Sequence, residues 1–332
     1  MNKLLERWTR HLAASAMALA AVWAALGSGA AQAAYPDRPI RLIVGFPPGQ
    51  ATDVIARMLG KVLQDALGQP VVVENRPGAG GINGTVEAIR AAPDGYTLLV
   101  SSSGPLSVNP SLYAKLPYAP EKDLEPVSML VRLPLYLAVN PSFPAKTFDE
   151  FLKLVKASPG KYDYASAGNG VTSHLTMELI KSQFGLFLLH VPYRGSGQAV
   201  SDVMAGQVPA IVDTGPAILP NMAAGKLRVL AVTTRERSSL TPAIASIAEL
   251  SGTSFDVAAW VGLVAPRGVP PEIVEQLHKT IALHWTKPEV KSQMAALGGE
   301  SVTMPPAAFR TYIAEETVKF ARAVKISGAK VD

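Results

Sequence analysis

The chain has 332 residues, of which 48% are hydrophobic and 17% are charged, and its formal net charge at pH 7 is +5. This length and apolar content are enough for about two domains with cores of their own. The sequence contains no cysteine, which excludes disulfide bonds, thiol catalysis, iron–sulfur clusters and cysteine zinc sites. Since the charge is modest and no Lys/Arg run stands out, nucleic acid is not an expected partner.

The N-terminal segment has the pattern of a secretory signal peptide. Lys3, Arg7 and Arg10 precede an apolar run over Leu12–Leu26, and Ala31–Ala33 supplies a small-residue cleavage site. The apolar run is too short for a membrane span, and no Arg-Arg pair or nearby cysteine indicates the twin-arginine route or lipid attachment. We expect residues 1–33 to be removed, with cleavage near Ala33 and export to the periplasm. The alternative for this segment is a buried N-terminal helix.

The stretch over Ile40–Leu67 predicts a strand, a tight loop and the start of a helix. Branched apolar residues over Ile40–Phe46 indicate a buried strand, and Pro47-Pro48-Gly49 then forces a turn. Apolar residues recur at helical spacing afterwards, and Thr52 or Asp53 is suited to cap that helix. The free N–H groups of a helix start suit an anion such as a carboxylate. An ordinary strand-to-helix connection of an α/β domain has the same pattern.

The rest of the chain repeats the alternation of strand and helix, which is typical of a parallel α/β sheet. Further strands are predicted at Pro70–Glu74, Tyr96–Ser102, Val127–Val131, Leu135–Val139, Tyr162–Ala165, Phe187–Pro192, Pro209–Asp213, Leu227–Thr233 and Trp260–Ala265. Further helices are predicted near residues 79–90 and at Thr147–Ala157, His174–Phe184, Gln198–Ala205, Pro216–Ala224, Pro271–Leu297 and Pro306–Ile326.

Two domains are expected, with the chain crossing between them twice. The first crossing is predicted near Leu133, where a proline follows and separates two strands. The strand at Trp260–Ala265 is predicted to return to the first domain. Domain 1 therefore comprises 34–133 plus 256–332, and domain 2 is an insertion over 134–255.

The glycine-rich stretch after the second strand does not fit a dinucleotide-binding motif. Gly78 and Gly80 would require a third glycine at the position of Asn83. The motif should also follow the first strand of its unit, with an acidic residue about 20 positions later. A nucleotide cofactor is not expected, and no other cofactor is indicated.

Enzyme chemistry has weak support in this sequence. No G-x-S-x-G motif occurs, and His174, Ser166 and Asp213 can be combined into a triad only on paper, as in most α/β proteins. The segment after the signal peptide contains four histidines without an H-E-x-x-H motif or a cluster. A catalytic metal site is therefore not expected.

A second strand–loop–helix unit spans Tyr164–His174 and is rich in small residues. Its glycines allow a ligand to approach the backbone, and Ser166, Asn169, Thr172 and Ser173 offer hydroxyl or amide groups. Two such helix starts facing each other across a cleft could hold an anion and close on it by a hinge motion. For His174, capping or packing is favoured over ligand contact. The serines after the third strand suit either a polar loop or a ligand-facing rim.

Several segments in a fixed order carry a family resemblance. They are Tyr35–Ile40, Gly45–Gly49 with Asp53 and Arg57, Val73–Gly81, Pro93–Leu99, Ser166–Gly170 through His174, His190–Gly195, Ala224–Thr233 and Trp260–Pro266. Together they resemble the substrate-binding proteins of tripartite tricarboxylate transporters, the TctC-like Bug family, over nearly the whole chain after the signal peptide.

This resemblance implies an α/β protein with the type II periplasmic-binding-protein fold, in which two α/β domains are joined by a two-crossing hinge (a Venus flytrap). It implies a non-enzymatic periplasmic receptor without a cofactor, which captures a small organic carboxylate and delivers it to membrane permease subunits. We expect the receptor to be a monomer. Two alternatives stay open: a periplasmic hydrolase or isomerase acting on an organic acid, and a ligand receptor for a sensor kinase.

The resemblance also implies that the carboxylate lies between two facing loops, often bound through bridging waters. Matching the motifs, and adding the polar side chains of the same loops, gives a predicted ligand-binding set. It consists of Phe46, Pro48, Gly49, Gln50, Ala51, Asp53, Ser101, Ser102, Ser103, Ser166, Gly168, Asn169, Gly170, Thr172, His174, Tyr193 and Asp213.

The sequence departs from the family pattern at three places. Gln50 stands where a second glycine is usual, Thr214-Gly-Pro-Ala follows Asp213 in place of a sequence closer to Asn-Leu-Pro-Ser, and the stretch Leu240–Ile247 also differs. The first two departures concern which ligand is bound. Because Gln50 adds a hydrogen-bond donor and an acceptor, we hypothesise a ligand with an additional polar group.

Overall fold

A computed structural model describes residues 35–331 of the chain. The predicted signal peptide, residues 1–33, lies outside the described residues. Those from Arg38 onward form one compact unit, and Tyr35–Asp37 are assigned to the segment before it.

The described residues form strands and helices in alternation. The strands are β1 (Ile40–Val44), β2 (Val71–Asn75), β3 (Thr97–Ser102), β4 (Leu124–Val139), β5 (Asp163–Ser166), β6 (Leu189–Pro192), β7 (Ala210–Thr214), β8 (Arg228–Val232), β9 (Ala258–Pro266) and β10 (Glu300–Ser301). The helices are α1 (Ala51–Leu67), α2 (Ile82–Ile89), α3 (Asn109–Leu112), α4 (Pro120–Asp123), α5 (Phe148–Ala157), α6 (Thr172–Phe184), α7 (Ser196–Met204), α8 (Gly215–Ala223), α9 (Ile247–Ser251), α10 (Pro271–Trp285), α11 (Pro288–Ala296) and α12 (Pro306–Ser327). A 3₁₀ turn at Ala79–Gly81 precedes α2, and a π-helical turn at Gly104–Val108 precedes α3.

The first half of the sheet has the strand order β2-β1-β3-β9-β4. Strand β1 is parallel to both β2 and β3, whereas β9 is antiparallel to β3 and to β4. The short strand β10 is also antiparallel to β4. The three parallel strands therefore end at one edge, at which the loops to the following helices begin.

The second half repeats this order as β6-β5-β7-β4-β8. Strand β5 is parallel to β6 and β7, and the last part of β4 is antiparallel to β7 and β8. Strand β4 thus belongs to both halves. It pairs with β9 as far as Pro134 and with β7 from Leu135 onward.

The structure corrects two details of the predicted elements. One continuous strand contains both Val127–Val131 and Leu135–Val139. Pro134 has no N–H to donate, but it lies where the strand changes partner from β9 to β7, so it interrupts neither ladder. The long helical segment predicted at Pro271–Leu297 is two helices. Lys287 is extended because the residue before a proline disfavours helical geometry, and α11 begins at Pro288.

The buried core consists of separate apolar clusters that lie under the two halves of the sheet. Under the first half, Ile43, Leu99, Trp260 and Phe309 belong to one apolar cluster. A second cluster lies under the other half and joins Leu175 and Ile180 of α6 to residues from distant parts of the sequence. These distant residues are Val108, Leu112, Phe320, Ala323 and Val324. The segment after β3 and the end of α12 therefore pack against the second half.

Candidate functional site

Two loops occupy equivalent places in the two halves. We call Phe46–Asp53, which connects β1 to α1, the first loop, and Ser166–His174, which connects β5 to α6, the second loop. Each follows the carboxyl end of a central parallel strand, the position at which open α/β sheets bind ligands. Within the described residues, no group of three or more His, Cys, Asp or Glu side chains could hold a metal ion.

The first loop presents an exposed helix start. Residues 47–51 are all exposed, and Gly49 has φ of 85°, a conformation that favours glycine. Helix α1 begins at Ala51 with Gln50 as its N-cap residue, so the predicted caps Thr52 and Asp53 lie inside the first turn. Gln50 makes no side-chain capping hydrogen bond. The first-turn N–H groups of α1, which have no partner within a helix, are therefore left without a side-chain cap.

Asp53 holds the first loop from beneath. Its side chain is 2% exposed, and its Oδ2 accepts hydrogen bonds from the Gly49 N–H at 2.9 Å and from Arg57 Nε at 3.0 Å. Its Oδ1 accepts from Arg57 Nη2 at 2.9 Å and from Asn75 Nδ2 at 2.8 Å, and Asn75 Nδ2 also donates to the Phe46 carbonyl. Burial alone would raise the pKa of Asp53, but these hydrogen bonds outweigh it and lower the pKa. Both carboxylate oxygens are thus occupied by protein donors.

The second loop is folded around buried hydroxyl groups. Ser166 is fully buried, and its Oγ lies 2.6 Å from His190 Nε2. The same oxygen accepts the Gly168 N–H at 3.2 Å and lies 3.0 Å from the Gly168 carbonyl, and Ser173 Oγ accepts the Ala167 N–H at 3.1 Å. Through these bonds, side chains of the second loop hold the backbone of the same loop in place.

His174 takes part in the same arrangement. It is 2% exposed, and its Nδ1 accepts the Gly170 N–H at 3.0 Å. Its ring stacks on that of His190 with centroids 3.9 Å apart and an interplanar angle of 5°. Burial lowers the pKa of His174, and burial together with the charge of His174 lowers the pKa of His190 to about 4. Both imidazoles are therefore neutral at neutral pH.

A further polar group, formed by Tyr164, Glu178 and Lys181, lies beside the histidine stack. The Tyr164 ring lies 4.9 Å from the His190 ring, and the Tyr164 hydroxyl donates to Glu178 Oε1 at 2.5 Å. Lys181 Nζ donates to the same oxygen at 2.6 Å. Burial, and then the Glu178 carboxylate, raise the pKa of Tyr164. Both donors thus bond to the same oxygen of Glu178, and its charge raises the pKa of the two histidines against the larger effect of burial.

The second loop contacts the first half of the molecule. Gly170 has φ of 74°, and a Cβ at this position would lie 2.7 Å from Leu112 Cδ1 of α3. Asn169 Nδ2 donates to the Lys330 carbonyl at 3.1 Å. On the opposite side, a Cβ at Gly81 would lie 2.6 Å from Pro105 Cγ and 3.2 Å from Phe46 Cζ. The first loop therefore lies close to Gly81, and Gly81 lies close to the π-helical turn. Helix α3, which follows that turn, lies close to the second loop.

The remaining predicted residues lie at other strand ends. Ser101 and Ser103 are buried at the end of β3, directly before the π-helical turn. The Tyr193 hydroxyl donates to Asp202 Oδ2 at 2.8 Å. Asp213 is buried, its Oδ1 accepts the Thr214 N–H at 2.7 Å, and its Oδ2 has no hydrogen-bond partner among the described residues. Burial raises the pKa of Asp213.

The serine, histidine and aspartate that could be combined on paper do not form a catalytic triad. Ser166 contacts His190 rather than His174, and the Nδ1 of His174 is bonded to a backbone N–H. Asp213 bonds to the N–H of its neighbour Thr214.

Sequence reasoning missed the residues that hold the two loops. Asn75 ends β2, and a rule that examined every strand end would have selected it. His190 and Tyr164 lie within strands β6 and β5, where a histidine or tyrosine gives no local sign of its partner. Glu178 does not bond to the loop, but it lies one helical turn after His174, so its closeness to that ring was visible as an i, i+4 spacing.

A separate apolar cavity of about 670 Å³ lies beside α12 and the π-helical turn. Leu106, Val264 and Ile313 are among its lining residues, and none of the predicted ligand residues lines it. Its lining also includes Glu121, Arg267 and Arg310, and both arginines are paired with Glu125.

Comparison with known proteins decides the family. The model of the "Tripartite tricarboxylate transporter family receptor" (TctC) matches residues 55–328. The chain belongs to this family. It is also 42% identical over 298 residues to Protein BugT of Bordetella pertussis, with 90% of this chain and 91% of BugT covered. The resemblance to TctC-like Bug proteins is therefore confirmed.

Solved structures support the same conclusion. MatC from Rhodopseudomonas palustris with bound malate is 31% identical with a TM-score of 0.71, covering 87% of this chain and 100% of MatC. Rpa4515 of R. palustris with adipate is 30% identical with a TM-score of 0.76, covering 90% of this chain and 100% of its own. The predicted fold class, that of two-domain periplasmic binding proteins, is confirmed. The family is one of solute-binding receptors, and its fold is that of periplasmic proteins.

Proposed function

We propose that this TctC-family receptor binds a small organic carboxylate between its first and second loops and delivers it to membrane permease subunits. The observation that carries the proposal is the exposed helix start of the first loop, whose N–H groups have no side-chain cap. Such a terminus favours a negative charge through its free donors and the helix dipole. The second loop presents an equivalent helix start in the other half, and a short series of contacts connects the two.

The ligand class is supported by the neighbouring structures. MatC contains malate and Rpa4515 contains adipate, two acids with the carboxylate group in common. Backbone N–H groups recognise a carboxylate without requiring a charged side chain. This suits a site at which Asp53 and its partner Arg57 already neutralise each other.

We propose the loop residues predicted above as the ligand-binding set, with two distinct roles. The exposed backbone at 47–51 and the loop at 168–172 contact the carboxylate. Asp53, Ser166 and His174 hold those backbones in place through the hydrogen bonds described above. Tyr193 and Asp213 line the strand ends of the second half.

We further propose the domain limits and cellular setting that the sequence predicts. The change of partner of β4 between Pro134 and Leu135 supports a first crossing near Leu133. The signal-peptide pattern supports export to the periplasm with cleavage near Ala33. The receptor is proposed to act as a monomer, without a cofactor and without enzymatic turnover.

A thermal-shift screen tests this function. The protein from about Ala34 onward is heated with a panel that includes malate, adipate and their neutral amides. A ligand that binds only the folded state stabilises it by about 2.7 kcal/mol at a hundredfold excess over Kd. We expect at least one acid to raise Tm, its amide to have no effect, and the acid to be recovered unchanged. Equal effects of acid and amide would contradict the proposal, and consumption of the acid would indicate an enzyme.

A further inference from the structure

The second loop depends on an acceptor that protonation can remove. The Gly170 N–H donates to His174 Nδ1 at 3.0 Å, and only a deprotonated imidazole nitrogen can accept a hydrogen bond. Gly170 is also held against Leu112, so this N–H has little freedom to seek another acceptor. The loop geometry therefore requires that His174 Nδ1 carries no proton.

The second imidazole is bound into the same structure. His190 lies 2.6 Å from Ser166 Oγ, the hydroxyl that also accepts the Gly168 N–H. Its ring is stacked face to face on His174 with centroids 3.9 Å apart. Two positive charges at this separation would repel each other strongly, so protonation of one ring opposes protonation of the other.

We propose that His174, stacked on His190, is a positioning residue that holds the second loop in its carboxylate-binding form only while its Nδ1 is unprotonated. This inference rests on the proposed function and adds a regulation to it. Weak acid removes the acceptor for the Gly170 N–H and places an imidazolium N–H against it. The loop then rearranges, and the affinity for the carboxylate falls.

The surroundings of the two rings favour this outcome over simple attraction of the anion. The titratable groups facing the stack are Tyr164 of β5 and Glu178 and Lys181 of α6, and these three bond to one another. Helix α12 packs against α6 through apolar residues, including Phe320 and Val324. His174 is 2% exposed, so its charge would face the loop backbone and not the solvent from which the ligand arrives. Burial lowers the pKa of both histidines.

The first test needs no ligand. Hydrogen-exchange mass spectrometry measures the protection factors of residues 167–173, from which the intrinsic pH dependence of exchange is divided out. The measurement spans about pH 7.5 to about pH 4, because the pKa values of both histidines are lowered, that of His190 to about 4. In the wild-type protein we expect protection to fall on acidification. His174→Leu, which has no acceptor, should lose about tenfold in protection already at neutral pH. His174→Asn, whose Oδ1 can replace Nδ1, should recover most of that loss and show no fall in acid.

A matched control removes a histidine elsewhere. His284→Asn lies on α10, outside both loops, and should leave the pH profile of residues 167–173 unchanged. If wild type, His174→Leu and His174→Asn all gave the same protection at all pH values, the positioning role would be wrong. The role would also be wrong if His284→Asn abolished the pH dependence as completely as His174→Asn.

The second test uses malate and adipate as probes and separates this inference from the proposed function. With an acid that binds, we expect Kd to rise between about pH 7.5 and about pH 4 at least tenfold more in the wild type than in His174→Asn, which retains the titration of the ligand's own carboxyl groups. An affinity that increased in acid would overturn the inference, since the imidazolium would then be attracting the anion. If neither acid bound while protection still followed pH, the proposed ligand class would fail but the loop mechanism would stand.

Discussion

The first and second loops occupy equivalent positions but are held in place by different chemical groups. Both follow a central parallel strand and lead into a helix. The first loop is held by a buried carboxylate with Arg57 and Asn75 as its partners, whereas the second is held by hydroxyls and neutral imidazoles. The contrast shows that an equivalent position in two repeated halves conserves geometry but not the groups that maintain it.

This difference has a consequence for stability. A carboxylate with several donors is held ionised and keeps its bonds well below neutral pH. An imidazole that accepts an N–H loses that bond on protonation. The two loops are therefore expected to fail under different conditions, and each variant below affects one loop while sparing the other.

The largest effect is expected from Asp53→Ala. The change leaves the Gly49 N–H without its acceptor and removes one of the two acceptors of Asn75 Nδ2, and we expect a loss of about 3 kcal/mol in the free energy of unfolding in urea. Asp65→Ala on the same helix is the control, because Asp65 forms an exposed i, i+4 pair with Lys61 and should contribute too little to resolve. Equal losses in the two variants would contradict the role assigned to Asp53.

Gly170→Ala tests how tightly the second loop is constrained. The residue has φ of 74° and its new Cβ would meet Leu112, so we expect a loss of about 2 kcal/mol together with weaker carboxylate binding. Gly185→Ala at the other end of α6 is the match, since Gly185 has φ of 63° with nothing within 4 Å. It should lose about 1 kcal/mol from backbone strain alone, and should bind as the wild type does.

The pH dependence of unfolding distinguishes the two loops directly. The pKa of His190 falls from 6.5 to about 4 on folding, so the folded state binds fewer protons in this range. Its stabilising contribution is present above pH 6.5 and is lost as the pH falls toward 4. The loss is about 2 kcal/mol after allowance for solvent screening.

His190→Gln removes this titration. The difference in unfolding free energy between wild type and variant should therefore shrink as the pH falls from 6.5 to about 4. The lowered pKa of Asp53 keeps the first loop's contribution until the pH is below 3.8. A wild-type-minus-variant difference that stayed constant over this range would contradict the assignment of a neutral His190.

The smallest effect is expected from Gln50→Gly. The side chain makes no capping bond, so stability should change by only a few tenths of a kcal/mol. If Gln50 contacts an additional polar group on the ligand, the substitution should also change selectivity. The difference in binding free energy between two acids that differ by such a group should change by about 1 kcal/mol. Calorimetry with malate and with its analogue lacking the hydroxyl measures this ratio. An unchanged ranking of ligands would remove the hypothesis.

Much of the fold could be predicted from the sequence because its signals are local. Branched apolar runs such as Ile40–Val44 and proline-started helices such as Pro306–Ser327 lie close to their predicted places. The family resemblance supplied the two-domain architecture, which local patterns could not. The exact helix start at Ala51 was missed, because Asp53 reaches back to Gly49 and does not act as an N-cap.

The chemistry of the site was less accessible. Ser166 and His174 were selected for their position on a loop, but their partner His190 comes from a different strand, 24 residues after Ser166. Asn75, which bonds to Asp53 of the first loop, lies 22 residues after it in the sequence. Such pairings arise only when parallel strands bring their ends together, and residue type alone does not encode them.

The most direct test of the two-loop site is a crystal structure of the protein, from about Ala34 onward, with the acid that gives the largest thermal shift. We expect the carboxylate oxygens to accept hydrogen bonds from backbone N–H groups of the first loop on one side and of the second loop on the other, directly or through waters. A ligand that contacted only one loop, or that occupied the apolar cavity beside α12, would contradict this account.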